Sequence, residues 1–121
     1  LVTRLGTDDC YLLIDDVPTT WHVARTQCVA WGGDLAAVTT AEEQAFVASI
    51  LPDRTWIGLN DLASEGSWAW SNGEPFSYFN WHDTQPDNAD PGEHCVEVRP
   101  SHDYGWNDLP CDYPLIALCE R

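Results

Sequence analysis

The chain has 121 residues, a length that suits one domain spanning 1–121. It carries 20 acidic and 5 basic residues, a formal net charge of −15. That balance excludes nucleic acid and anionic membrane as expected partners, since both need a positive patch, and makes cations the natural complement. Solubility, or a salty medium, is the plainer reading of the same acidity, because the carboxylates are spread along the chain. No apolar run is long enough to cross a membrane. No signal-peptide pattern is present either, so any secretion signal or anchor is expected outside these residues.

The first half reads as compact and periodic. Cys10 to Ile14 is a short apolar run expected to form a strand. Thr20 can cap a helix starting at Trp21, in which Trp21, Ala24, Cys28 and Trp31 make one apolar stripe and Gly32-Gly33 the end. Thr40 to Glu43 has the form of a capping box. The helix it opens should bury Phe46, Val47, Ile50 and Leu51 and stop at Pro52. Thr55 to Leu59 and Trp68 to Trp70 read as strands, as do Cys95 to Arg99 and Leu115 to Cys119. Between them, Ser71 to Gly92 lacks periodicity. A loop of that length is functional or disordered, and Phe76, Tyr78, Phe79 and Trp81 argue for order.

The five cysteines are Cys10, Cys28, Cys95, Cys111 and Cys119. None forms a CxxC pair, which disfavours zinc ribbons and thioredoxin-like motifs. Wide spacing in a small domain rich in Trp, Gly and Pro points to disulfides and an oxidising compartment. The spacing leaves the connectivity open, and the odd count leaves one thiol over. Of the tryptophans, Trp56, Trp68, Trp70, Trp81 and Trp106 are expected in the core.

Two polar segments carry the candidate chemistry. Gln85-Pro86-Asp87 with Glu93, and Trp106-Asn107-Asp108, concentrate oxygen-bearing side chains. Calcium takes about 6–8 oxygen ligands from carboxylates, amide carbonyls and water. Asp87, Glu93 and Asp108 bring the charge; Gln85 and Asn107 add carbonyl oxygens and retain NH2 donors. The protein ligands leave coordination open to an outside molecule. Asp90, Asp103 and Asp112 read as solvated acids, and His22 as a surface residue.

An enzyme is not expected. Glu93-His94-Cys95 suggests a Cys-His pair, but neighbours on a strand point to opposite faces. HExxH, GxSxG and phosphate-cradling glycine loops are absent. The segment from Asp83 lacks the glycine and terminal glutamate of an EF-hand.

In order along the whole chain, Cys28, Trp56-Ile57-Gly58-Leu59, Asn80-Trp81, Gln85-Pro86-Asp87, Glu93, Cys95, Trp106-Asn107-Asp108, Cys111 and Cys119 resemble a C-type lectin domain. The resemblance implies an α+β fold, with two helices flanking antiparallel sheets, the termini together and a long calcium-binding loop. It implies disulfides Cys28–Cys119 and Cys95–Cys111, and a cis bond before Pro86. Cys10 departs from it. That cysteine is expected to be a spare thiol, to pair with a residue outside this chain, or to link chains into an oligomer that gives avidity.

The resemblance makes Gln85, Asp87, Glu93, Asn107 and Asp108 the ligands of a principal Ca2+ and the contacts of a sugar bound through two vicinal hydroxyls. Asp61, Glu65 and Asn88 match an auxiliary calcium site sharing Glu93, although His94 stands where relatives often have Asp. Amide before acid, Gln85 then Asp87, goes with galactose or N-acetylgalactosamine. Relatives of that type often add a Trp soon after; Tyr104, His82 or His102 are the candidates to stack on the sugar here. The expected function is calcium-dependent binding of galactose-type glycans outside the cell. Calcium-dependent binding of protein or ice is the alternative.

Overall fold

The computed structural model describes residues 2–3, 8–86 and 92–121. Strands β1 (Val2–Thr3) and β2 (Cys10–Thr19) open the chain, and helix α1 spans Trp21–Ala30. Strand β3 (Asp34–Leu35) leads to helix α2 (Ala41–Ile50), then β4 (Thr55–Asn60) and β5 (Ala69–Trp70). Strand β6 (Cys95–Arg99), a 3-10 turn (Pro100–His102), β7 (Gly105–Leu109) and β8 (Leu115–Glu120) complete it.

The strands form one sheet in the order β1-β2-β8-β4-β6-β7, with β3 on β8 and β5 on β4. The sheet is mixed. β4 runs parallel to β8, pairing Thr55 with Ile116 and Trp56 with Ala117, whereas the resemblance implied antiparallel pairing throughout. β2 and β8 bring the two ends together through Tyr11↔Glu120 and Leu12↔Cys119. β2 runs on past Ile14 to Thr19 with a register shift, and Asp15–Pro18 are exposed, so its second half has no apolar signature.

Helix α1 forms as its stripe predicts. Thr20 Oγ1 accepts from the Val23 N–H, and Trp21, Ala24 and Cys28 are buried. Trp21 Nε1 donates to the Ile57 carbonyl at 2.8 Å, which satisfies a buried donor and docks the helix on β4. Helix α2 buries Val47, with Leu51 just beyond it, while Phe46 and Ile50 are half-buried. Its capping differs in detail from the box. Thr40 Oγ1 accepts from the Glu43 N–H at 3.1 Å, but Glu43 Oε1 reaches back to the Thr39 N–H. Glu43 and Gln44 are themselves buried, because each bonds across the core.

Two disulfides tie this frame. Cys28–Cys119 joins α1 to β8, and Cys95–Cys111 joins β6 to the segment after β7. Cys10 is in neither; it lies half-buried where β2 meets β1. Gly58 must be glycine, since a Cβ there would lie 2.7 Å from Ser71 Oγ and 3.0 Å from the Leu35 carbonyl.

Candidate functional site

The long loop rests on stacked aromatics. Trp106 is fully buried in β7 and meets Trp70, Tyr78 and Trp81 edge-on, with centroids 5.6–5.9 Å apart. Trp68 packs on Trp81 at 5.0 Å. Trp56 and Trp70 are buried; Trp68 and Trp81 are half-buried against the core. Trp106 Nε1 donates to Gln44 Oε1 at 2.9 Å, so helix α2 buttresses the strand that carries Asn107 and Asp108.

That strand, β7, was not foreseen. Asn and Asp are poor strand formers, and the segment reads locally as a polar loop. Pairing with β6 overrides this: Val96 faces Asp108, Glu97 faces Asn107 and Cys95 faces Leu109. Left-handed Asp103 and Tyr104, with φ of 55° and 60°, turn the chain between the two strands.

Backbone bonds gather the candidate calcium-ligand segments around β7. Trp106 N–H donates to the Asn80 carbonyl and His82 N–H to the Trp106 carbonyl, both at 2.9 Å. Gln85 N–H then donates to the His82 carbonyl at 2.8 Å, and the Gln85–Pro86 bond is cis. On the other side, Glu93 lies two residues before Cys95, which pairs beside Asp108. Glu93 and Asp108 are buried, at 7% and 1% exposure. Asp87 and Asn88 lie outside the described residues.

Asn107 is held by a neighbour the sequence did not single out. Its Nδ2 donates to Glu97 Oε2 at 2.8 Å. Glu97 is fully buried and is gripped by Arg54 through Nε–Oε1 at 2.7 Å and Nη2–Oε2 at 2.8 Å. A buried carboxylate is costly unless paired, and a bidentate guanidinium meets that need. Glu97 and its contacts draw the Arg54 guanidinium above its ordinary value. The two-armed grip fixes Glu97, and Glu97 in turn orients the Asn107 amide.

A groove of about 400 Å³ runs between Asn80–Asp83 and Ser101–Gly105. His82 and His102 stack on its wall, centroids 4.1 Å apart and planes 22° apart. Burial, then the charges of Arg99 and His82, hold His102 below the ordinary imidazole value. Tyr104 packs against the core instead, and its carbonyl accepts from Gln44 Nε2 at 2.9 Å. Of the residues considered for stacking on a sugar, the structure therefore brings His82 and His102 together and turns Tyr104 inward.

The pattern of the lectin C-type domain matches residues 17–121. The chain belongs to the C-type lectin domain family. It is 36% identical over 119 residues to mouse C-type mannose receptor 2, covering 95% of this chain but 8% of the receptor. It therefore spans less than a tenth of that relative's length. Among solved structures, a calcium-independent type II antifreeze protein superposes with a TM-score of 0.90 at 30% identity, over 98% of this chain and 89% of that one. The cow CD23 carbohydrate-recognition domain, determined in the presence of a GlcNAc2Man3 oligosaccharide, gives a TM-score of 0.88 at 33% identity, over 95% and 88%.

In this lectin domain Asp61 and Glu65, expected at an auxiliary calcium site, do lie together, but with His94 among them. His94 Nδ1 is 3.0 Å from Asp61 Oδ1 and 3.9 Å from Glu65 Oε1. Burial alone would raise the Asp61 carboxyl; bonds with Glu65, the Gly66 amide and His94 outweigh it and hold Asp61 low. Glu65 is pushed up, first by its bond with Asp61. Calcium prefers an all-oxygen shell, so an imidazole in this position does not fit the auxiliary ion.

A second acidic cluster escaped the sequence reading. Asp9, Glu43 and Glu120 converge on Tyr11, whose O–H donates to Glu43 Oε2 at 2.6 Å. Burial, followed by the charge of Glu43, raises Glu120 to about 9. Tyr11 is also raised, by burial and its bond to Glu43. The signal was faint. Glu43 reads as a cap; only the pairing of β2 with β8, which sets Tyr11 opposite Glu120, and the Tyr11–Glu43 bond bring the two acids together.

Proposed function

We propose that the chain is a calcium-dependent carbohydrate-recognition domain of galactose type, acting outside the cell. The observation carrying it is the backbone pairing that gathers Gln85, Glu93, Asn107 and Asp108 around β7, with both acids buried. With Asp87 from the same loop, they form the all-oxygen donor set that suits calcium.

When bound, Ca2+ supplies open coordination positions for two vicinal sugar hydroxyls. The chain does the rest. Glu93, Asp87 and Asp108 accept hydrogen bonds from the hydroxyls, and the amides of Gln85 and Asn107 donate to hydroxyl oxygens. Asn107 spends one N–H on Glu97 and keeps the other for the sugar. Gln85 ahead of Asp87 places amide and acid in the galactose order. His82 and His102 border the ligand-bearing turn and offer ring faces to the apolar side of the sugar. A single sugar touches little surface, so affinity should be about millimolar, and several domains would be needed for avidity. Cys10 is the candidate link between chains. The disulfides fit an oxidising, extracellular setting.

The test is a glycan array read with calcium and with chelator, followed by elution with free galactose or mannose. Asp87→Ala and Asn107→Ala should each abolish retention on galactose resin, with an unchanged near-ultraviolet circular dichroism spectrum. Retention by either variant, or preferential elution by mannose, overturns the assignment. The similarity to an antifreeze protein favours one second reading, ice binding. Thermal hysteresis in the presence of calcium, without glycan binding, would establish it.

A further inference from the structure

We propose that Asp61, Glu65 and His94 form a binding site for a late first-row transition-metal ion such as Zn2+, separate from the calcium-binding loop segment. The position and the two acids match an auxiliary calcium site, but the imidazole of His94 does not.

The cluster is built by two strand ends. β4 ends at Asn60, which pairs with Cys95, the first residue of β6. Asp61 follows β4 and His94 precedes β6, so the sheet register sets them side by side. The Asp61 N–H donates to the His94 carbonyl at 3.0 Å and locks that register. Glu65 comes back over them from the turn that closes at Gly66, whose φ of +81° suits glycine.

The distances suit a small tetrahedral ion. His94 Nδ1 lies 3.0 Å from Asp61 Oδ1 and 3.9 Å from Glu65 Oε1. Zinc bonds of about 2.0–2.1 Å in a tetrahedron require ligand atoms about 3.3 Å apart. The observed separations fall on either side of that figure, and all three ligand atoms lie within 4.8 Å of one another. Small side-chain rotations would equalise them.

The support around the ligands is also in place. Asp61 is 1% exposed, and its Oδ2 accepts the Gly66 N–H at 2.8 Å, which aims Oδ1 at the histidine. Such outer contacts hold a metal-binding carboxylate in position. The other two ligands face solvent, with side-chain exposures of 33% for His94 and 52% for Glu65. That opening gives an ion a path in and lets water complete the coordination. One imidazole and two carboxylates match zinc, nickel or cobalt, whereas calcium would need more oxygens and no nitrogen. A bound ion would clasp the 61–66 turn to the start of β6, next to Glu93.

The experiment uses the whole chain, stripped with chelator and then saturated with Ca2+, titrated with ZnCl2 by calorimetry. One zinc per chain should bind without displacing calcium. Co2+ in its place should give the visible absorption of a tetrahedral site. His94→Gln should weaken zinc by about tenfold or more and erase the cobalt band, whereas His22→Gln should change neither. His94→Asp should lose zinc and take up one additional Ca2+. The proposal is overturned if His94→Gln binds zinc normally, if calcium displaces the zinc, or if the loss follows His82→Gln or His102→Gln instead. Melting of wild type and His94→Gln without zinc serves as the folding control. The Ca2+ addition is itself followed by calorimetry, so failure of the calcium loop appears in that step and is distinct from failure here.

Discussion

Glu97 and Glu120 sit on strands of one sheet that flank β4, and the fold treats them in opposite ways. Glu97, on β6, is fully buried, and Arg54 binds both of its oxygens. Glu120, on β8, faces Glu43 and Tyr11, and burial with the Glu43 charge raises it to about 9. One acid is neutralised by a guanidinium, the other by a proton. The difference assigns them different work. The charged pair can orient a polar side chain, and Glu97 does so for Asn107. The protonated cluster can only join elements, and it ties β2, α2 and β8 together.

The largest effect should come from breaking the charged pair. Arg54→Ala leaves Glu97 buried without its cation and should cost about 3–5 kcal/mol. The lower end is expected because Arg54 is 26% exposed. Urea unfolding measures it, and Arg54→Met with Glu97→Leu should recover most of the loss. A cost below that of an ordinary surface substitution would show that the pair is not what holds Glu97. If the same variant leaves calcium affinity unchanged, Glu97 does not orient Asn107.

A smaller loss is expected at the other cluster. Tyr11→Phe removes the O–H donated to Glu43 and should cost about 1–3 kcal/mol, less if the Thr39 bonds to Glu43 suffice. The same denaturant titration checks it.

The one expected gain, and the most telling effect, concerns Glu120→Gln. In the folded chain Glu120 titrates near 9, up from the usual 4.5. The folded state therefore holds a proton that the unfolded state gives up. The stability this contributes is complete below about pH 4.5 and declines as pH rises toward 9. Glutamine mimics the protonated acid, so Glu120→Gln should be near neutral at low pH and increasingly stabilising toward pH 9. Parallel pH dependences for variant and wild type would refute the protonated state.

Much of the frame was legible locally. The stripe Trp21, Ala24, Cys28 has helical period, and Thr20 and Thr40 are cap residues, so both helices fall where expected. β4 reads as an apolar run ending near Asn60. β7 does not, because Asn107 and Asp108 contradict strand propensity and only the register with Glu97 and Val96 makes them extended. At the candidate site, the oxygen donors were legible as residue types. The Arg54–Glu97–Asn107 chain was not, since Arg54 looks like any surface arginine until β4 lies beside β6.

The sequence by itself determined the two capped helices, the cysteine supply, the aromatic support of the loop and the order of the oxygen donors. Each is a local pattern, set by residue type and spacing over a few positions. Only the tertiary structure decided that β4 runs parallel to β8, that Glu97 is paired and Glu120 is protonated, and that His94 turns toward Asp61. Those outcomes depend on contacts between residues 33 to 109 positions apart. Charge state and ligand geometry follow from which neighbours the chain brings within a few ångströms, and no local pattern encodes that.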